Sequence, residues 1–156
     1  MPVTLQTMAS PRLRQGRCSE PGNIYALTTV TEKRCRLFEH PDNAQIVIEA
    51  LRFVERSSYS HSLAWVVMPD HVHWLMQLRR DSLAGCMALF KSRSSRLLNQ
   101  RLHRQGRVWQ HGYFDHAIRR DASLLNAARY ILANPIRAGL SETLGEYPHA
   151  WSRWPL

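Results

Sequence analysis

The spacing of apolar and polar positions divides the chain into four strands and three helices. Residues 23–38, NIYALTTVTEKRCRLF, open with a β-branched and aromatic run, so their first half is expected to be a strand with a basic exit at Lys33, Arg34 and Arg36. After Pro41-Asp42, the apolar residues Ala44, Val47, Leu51 and Val54 recur at helical spacing and define an amphipathic helix. HSLAWVVM at 61–68 is apolar on both faces, as suits an interior strand. Pro69-Asp70 then makes a turn, and HVHWLMQL runs back antiparallel to complete a hairpin. A long helix is expected from Asp81-Ser82 to about Arg104, with Leu83, Met87, Phe90, Ser94, Leu97 and Leu98 facing inward and Gln105-Gly106 ending it. The fourth strand falls around Tyr113 to Ile118 and ends on Arg119 and Arg120. A further helix spans 122–135, with Asp121 as its N-cap and Pro135 biasing Asn134 away from helical geometry. A short second turn through PIRAGL stops at Gly139.

That order, β-α-β-β-α-β followed by an extra helix, is the ferredoxin-like split arrangement of an α+β fold. Its four-stranded antiparallel sheet carries two helices on one face and leaves the other open. The chain of 156 residues is long enough for one domain, expected over 23–140. Residues 1–22 lack periodicity and read as a mobile basic arm with Arg12, Arg14 and Arg17; either Met1 or Met8 would serve as the start. Residues 141–156 form a tail with no clear element. Its Trp151 and Trp154 suggest a plug that folds back over a groove.

Charge narrows the partners. The net charge is +9, from 21 basic and 12 acidic residues, and every basic residue except Lys33 and Lys91 is arginine. Arginine suits bidentate phosphate contact, so nucleic acid is the expected partner, although codon bias in a GC-rich genome also favours arginine over lysine. Lys91, Arg93 and Arg96 on the long helix, Arg119 and Arg120 at the strand end, and Arg12 and Arg14 in the arm are the expected contacts to the DNA backbone. The three cysteines, Cys18, Cys35 and Cys86, have no metal-binding spacing, and their odd number speaks against a disulfide framework. The longest apolar run, LAWVVM, is too short to span a membrane, so a soluble cytoplasmic protein is expected.

The chemistry centres on His71 and His73. Two residues apart on a strand, they share a face with Leu75 and Gln77, while Val72, Trp74, Met76 and Leu78 share the other. Two imidazoles at one strand end can converge on a divalent ion, given further ligands. On the helix over 122–135, Tyr130 and Asn134 lie four residues apart on one side, with Asn126 a turn earlier. Asn134 offers a carbonyl oxygen to a hard cation, and Tyr130 a nucleophile. Tyr113 competes for that role, but on a strand it reads as a core or stacking residue. His116 reads as a surface or neighbouring histidine, and Trp109 and Phe114 as core anchors or base-stacking platforms, with the core role preferred for both.

The segments PDHVHW, VWQHGYFDHAIRRD and RYILANPIRAGL, in this order over roughly residues 24–140, resemble the REP-associated tyrosine transposases, relatives of the single-tyrosine HUH transposases. The resemblance implies that His71 and His73 bind the metal, that Tyr130 is the nucleophile, and that Asn134 is a third ligand. The related insertion-sequence enzymes usually carry the longer glutamine at that position. It further implies Mg2+ or Mn2+, single-stranded or hairpin DNA with REP-like palindromes as substrate, a 5′-phosphotyrosine intermediate, and a nucleoid-associated monomer. Three alternatives stand beside it. They are a mobile insertion-sequence transposase that works as a dimer with its tyrosine in trans, a non-catalytic nucleic-acid-binding module, and a histidine-pair metallohydrolase, for which the further carboxylates are lacking.

Overall fold

The computed structural model describes residues 19–119 and 123–155. Arg12, Arg14, Arg120 and Asp121 lie outside the described residues, as does most of the segment read as a basic arm.

Five strands form one sheet: β1 (Ile24–Val30), β2 (Ser60–Met68), β3 (His71–Leu78), β4 (Phe114–Ile118) and β5 (Ala150–Ser152). Their spatial order is β4-β1-β3-β2-β5, and every neighbouring pair is antiparallel. The helices are α1 (Pro41–Arg56), α2 (Leu83–Leu102), α3 (Leu124–Leu132) and α4 (Asn134–Arg137). The split α+β order read from the sequence is the observed one, with a fifth strand added at the edge of β2.

The alternation along β3 divides the interior into two layers. Val72, Trp74, Met76 and Leu78 join Val47 and Leu51 of α1 and Met87 and Phe90 of α2 in the main core. Leu75 points the other way and packs with Leu63, Ala64, Val66 and Met68 of β2 against Ala128, Ile131 and Leu132 of α3. The sheet is therefore a partition, with α1 and α2 on one side and α3 on the side of His71 and His73. Trp74 satisfies its indole N–H within the core by donating to Ser62 Oγ at 2.9 Å.

Local chemistry sets the helix ends. Ser82 Oγ accepts the Gly85 N–H at 3.0 Å and starts α2, which ends on His103 in the left-handed region (φ 49°), ahead of the expected Gln105-Gly106 break. The cap of α3 is Ser123, whose Oγ accepts the Asn126 N–H at 3.1 Å, two residues beyond the expected Asp121. Asn134 opens α4 despite the proline that follows it. Pro135 falls in the first turn, where a missing N–H leaves no intrahelical bond unmade.

The tail, expected to lack an element, supplies β5. Trp65 pairs with Trp151, and their rings stack with centroids 6.2 Å apart. Tyr147 Oη donates to the Val67 carbonyl at 2.7 Å, and Val67 N–H donates to the His149 carbonyl at 2.8 Å. Trp151 joins the main core, whereas Trp154 packs with the cluster beneath α3, so the two indoles part to opposite faces of the sheet. Among the described residues, no helix is long and apolar enough to cross a membrane.

Candidate active site

β3 brings the two imidazoles together. His71 and His73 are partly buried, their ring centroids 4.8 Å apart and their planes perpendicular. His71 Nδ1 lies 2.6 Å from Asp70 Oδ1, and Arg34 meets the same carboxylate at 3.2 Å. His73 Nδ1 lies 2.9 Å from the hydroxyl of Thr28, its register partner on β1. A carboxylate only accepts, so His71 Nδ1 carries the hydrogen and Nε2 keeps a lone pair in the neutral ring. The Thr28 hydroxyl can accept as well as donate, so His73 can take the same tautomer.

Charge follows from these surroundings. Burial, then the neighbouring His71 and the Arg137 guanidinium, push the His73 imidazole down to about 3. It is thus neutral across the physiological range, the state a metal ligand requires. Burial alone would raise the Asp70 carboxyl, but its hydrogen bond to His71, the His71 charge and Arg34 bring it below its ordinary value.

The helical half of the site lies over the same sheet face. With Ala128, Ile131 and Leu132 turned into the cluster beneath α3, Tyr130 is left on the outer side, 54% exposed. Arg137 of α4 reaches back to it. Its guanidinium lies 4.4 Å from the Tyr130 ring centroid, and Nη2 donates to the Tyr130 carbonyl at 2.7 Å. Asn134 Nδ2 donates to the Ile131 carbonyl at 2.8 Å, which leaves its side-chain oxygen as the atom to offer a cation. Among the described residues, no hydrogen bond joins Tyr130 or Asn134 directly to either imidazole, and no group of three or more His, Cys, Asp or Glu side chains could hold a metal. The donor chemistry nevertheless fits a divalent ion, with two imidazoles held through Nδ1 and an amide oxygen on the neighbouring helix.

The remaining residues separate by face. Lys91 and Arg93 belong to the α1/α2 side, opposite the histidines. Lys91 Nζ donates to the carbonyls of Gln110 (3.0 Å) and Gly112, and the Arg93 guanidinium lies 3.8 Å over the Phe53 ring. Both were expected as contacts to the DNA backbone, and both are half-buried in these contacts within the chain. Arg96 and Arg119 are exposed. Tyr113, half-buried, packs against the main core beside Lys91, and Trp109 is buried there. His116 is exposed on β4. Sequence reasoning missed Thr28, Arg34 and Arg137 and read Asp70 only as a turn residue. The adjacency of Asp70 to His71 was an available signal, whereas Thr28 needed the strand register.

A split antiparallel α+β sheet of this order, with helices on both faces, is the fold of a class of transposase domains. The chain belongs to the IS200-like transposase family, whose model matches residues 22–134. A Haemophilus influenzae protein named as a REP-associated tyrosine transposase is 28% identical over 144 residues, covering 83% of this chain and 79% of that protein. The REP-associated tyrosine transposase of Escherichia coli is 29% identical over 108 residues, 67% of this chain and 61% of the relative, so this match spans less than two thirds of that protein. A solved REP-associated tyrosine transposase bound to a REP hairpin superposes with a TM-score of 0.72 at 22% identity, covering 86% of this chain and 79% of the other. A transposase-like structure from Deinococcus radiodurans gives 0.54 at 19% identity, covering 82% and 98%. Both share the fold.

Proposed function

We propose that this transposase is a metal-dependent, single-tyrosine strand transferase acting on single-stranded DNA beside REP-like palindromic hairpins in the bacterial cytoplasm, at the nucleoid. One observation carries the reading: the histidine pair and the helix bearing Tyr130 lie over the same sheet face within one chain. The relatives named for REP sequences, and the structural neighbour bound to a REP hairpin, support the choice of hairpin DNA.

His71 and His73, with Asn134, would hold Mg2+ or Mn2+, which when bound supplies Lewis-acid charge to a non-bridging phosphate oxygen. The chain's own residues do the rest. Asp70, anchored by Arg34, fixes the His71 ring, and Thr28 fixes His73. Arg137 restrains the Tyr130 ring from one side and its carbonyl from the other. The Tyr130 oxygen attacks phosphorus in line, its hydroxyl proton passes through solvent to the departing 3′ oxygen, and the bond from phosphorus to that oxygen breaks. That oxygen leaves as a 3′-hydroxyl, and the 5′ phosphate stays on the tyrosine. Attack by another 3′-hydroxyl reverses the step, so joining needs no nucleotide. Because α3 packs on its own sheet, the reading is a monomer whose tyrosine works in cis.

The test is a denaturing gel. Incubated with Mn2+ and a hairpin oligonucleotide carrying a 5′ single-stranded extension, the parent is expected to form a covalent adduct. Tyr130→Phe is expected to abolish it and His73→Ala to reduce it at least a hundredfold, on the order of the loss for a catalytic group. An adduct that survives in Tyr130→Phe but is lost in Tyr113→Phe would move the nucleophile to the residue just before β4.

A further inference from the structure

β4 carries an aromatic ring that neither core absorbs. Of the two roles read for Phe114, core anchor or stacking platform, the first was preferred, yet the ring is only partly buried and belongs to neither apolar cluster. None of the aromatic pairs among the described residues includes it. Register fixes where it points. Phe114 pairs with Thr28 on β1, and Thr28 pairs with His73 on β3. Residues directly opposite in an antiparallel pair share a face, so Phe114, Thr28 and His73 form one row on the same side of the sheet. The Thr28 hydroxyl is already bonded to His73, which confirms the side for that member of the row. Two strand spacings separate the ring from the imidazole, about 10 Å.

The rest of that neighbourhood is open. α3 lies over β2, β3 and β5, and its contacts with them dominate its packing, so the β4 end of the row projects beyond it. His116, two residues along β4 and therefore on the same side as Phe114, is exposed, and so is Arg119 just past the strand. A half-exposed aromatic left out of both cores, in one row with the histidine pair on a chain of net charge +9, is the pattern that binds single-stranded nucleic acid by stacking.

We propose that Phe114 is a stacking platform for one unpaired base of the single-stranded DNA that flanks the hairpin, a nucleotide or two from the scissile phosphate. The inference rests on the placement of that phosphate at His71 and His73. The platform fixes the path of the strand across β1 and β4 and so sets which phosphate reaches the histidines. Stacking tolerates any base, because each has an aromatic face. The platform therefore contributes affinity and alignment, and it leaves base identity to other contacts.

Binding measurements on the full chain carrying Tyr130→Phe test this without cleavage, so they stand whether or not Tyr130 is the nucleophile. 2-Aminopurine is placed in turn at each single-stranded position of the extended hairpin. The expected result is fluorescence quenching at one position, retained in Phe114→Trp and lost in Phe114→Ala. Phe114→Ala should weaken binding of the extended hairpin about tenfold and leave a blunt hairpin within twofold. An abasic site at the quenched position should cost the Phe114 protein about the same tenfold and cost Phe114→Ala almost nothing. No quenched position, quenching that persists in Phe114→Ala, or an abasic penalty equal in both proteins would overturn the proposal. Should Phe114→Ala unfold, the abasic comparison between the Phe114 protein and Phe114→Trp decides it. A penalty absent from both overturns the platform, and one that is present and larger with the bigger tryptophan ring supports it. If instead Phe114 stacks a base while no covalent adduct forms in the parent, the platform stands and the tyrosine chemistry falls.

Discussion

The two described cysteines show how differently one residue type behaves here. Cys35 is exposed, whereas Cys86 is buried on α2, and burial pushes its thiol up to about 12. Thiolate is the reactive form, so at neutral pH Cys86 holds almost none. Native protein treated with a maleimide is expected to be labelled at Cys35 and not at Cys86, which should react only after denaturation. Peptide mass spectrometry checks this, and rapid native labelling of Cys86 would contradict its packing. At the same scale, His71 and His73 were legible because a spacing of two decides the face of a strand. Their partner Thr28 was not, because it depends on pairing with a strand more than forty residues away. The intrachain partners of Lys91 were illegible for a similar reason. A lysine on an amphipathic helix reads as solvated until the 110–112 loop is seen to place two carbonyls on its ammonium.

The elements were legible where a long period carries the signal. α1, the β2-β3 hairpin and α2 fall close to their expected spans. Within α2 the inward Ser94 interrupts an apolar stripe, and its surroundings explain it. Buried Ser94 Oγ donates to the Phe90 carbonyl at 2.7 Å and accepts the Trp109 indole N–H at 2.9 Å, tying the helix to the strand-entry segment. Ser94→Ala leaves that indole N–H buried without a partner and is expected to cost about 1–3 kcal/mol, or roughly 2–10 °C in melting temperature. Calorimetry checks it, and an unchanged midpoint would show that the indole finds another acceptor. β5 was illegible for a physical reason. Three residues give no period to read, and this strand owes its existence to the edge of β2, to the Trp65–Trp151 stack and to the Tyr147 hydroxyl bond. The start of α3 shifted because Ser123 and Asp121 are equally good caps by residue type, and the observed cap bond belongs to Ser123.

At the scale of the whole molecule, the sheet separates stability from chemistry. α1 and α2 bury the larger core on one side, and the other side carries the imidazoles, the row through Thr28 to Phe114, and the helix with Tyr130. Five strands rather than four matter to this division, since β5 adds Ala150 and the following Trp154 to the floor on which α3 rests. The central claim is that one chain supplies both halves of the site, the histidine pair and Tyr130. Mixing two inert variants tests it most directly: Tyr130→Phe, which keeps the histidines, with His73→Ala, which keeps the tyrosine. Read as covalent adduct on a hairpin oligonucleotide with Mn2+, the parent should be active and each variant inert, and the mixture should stay inert. Adduct recovered in the mixture would show a tyrosine delivered in trans by a second copy and would contradict the account.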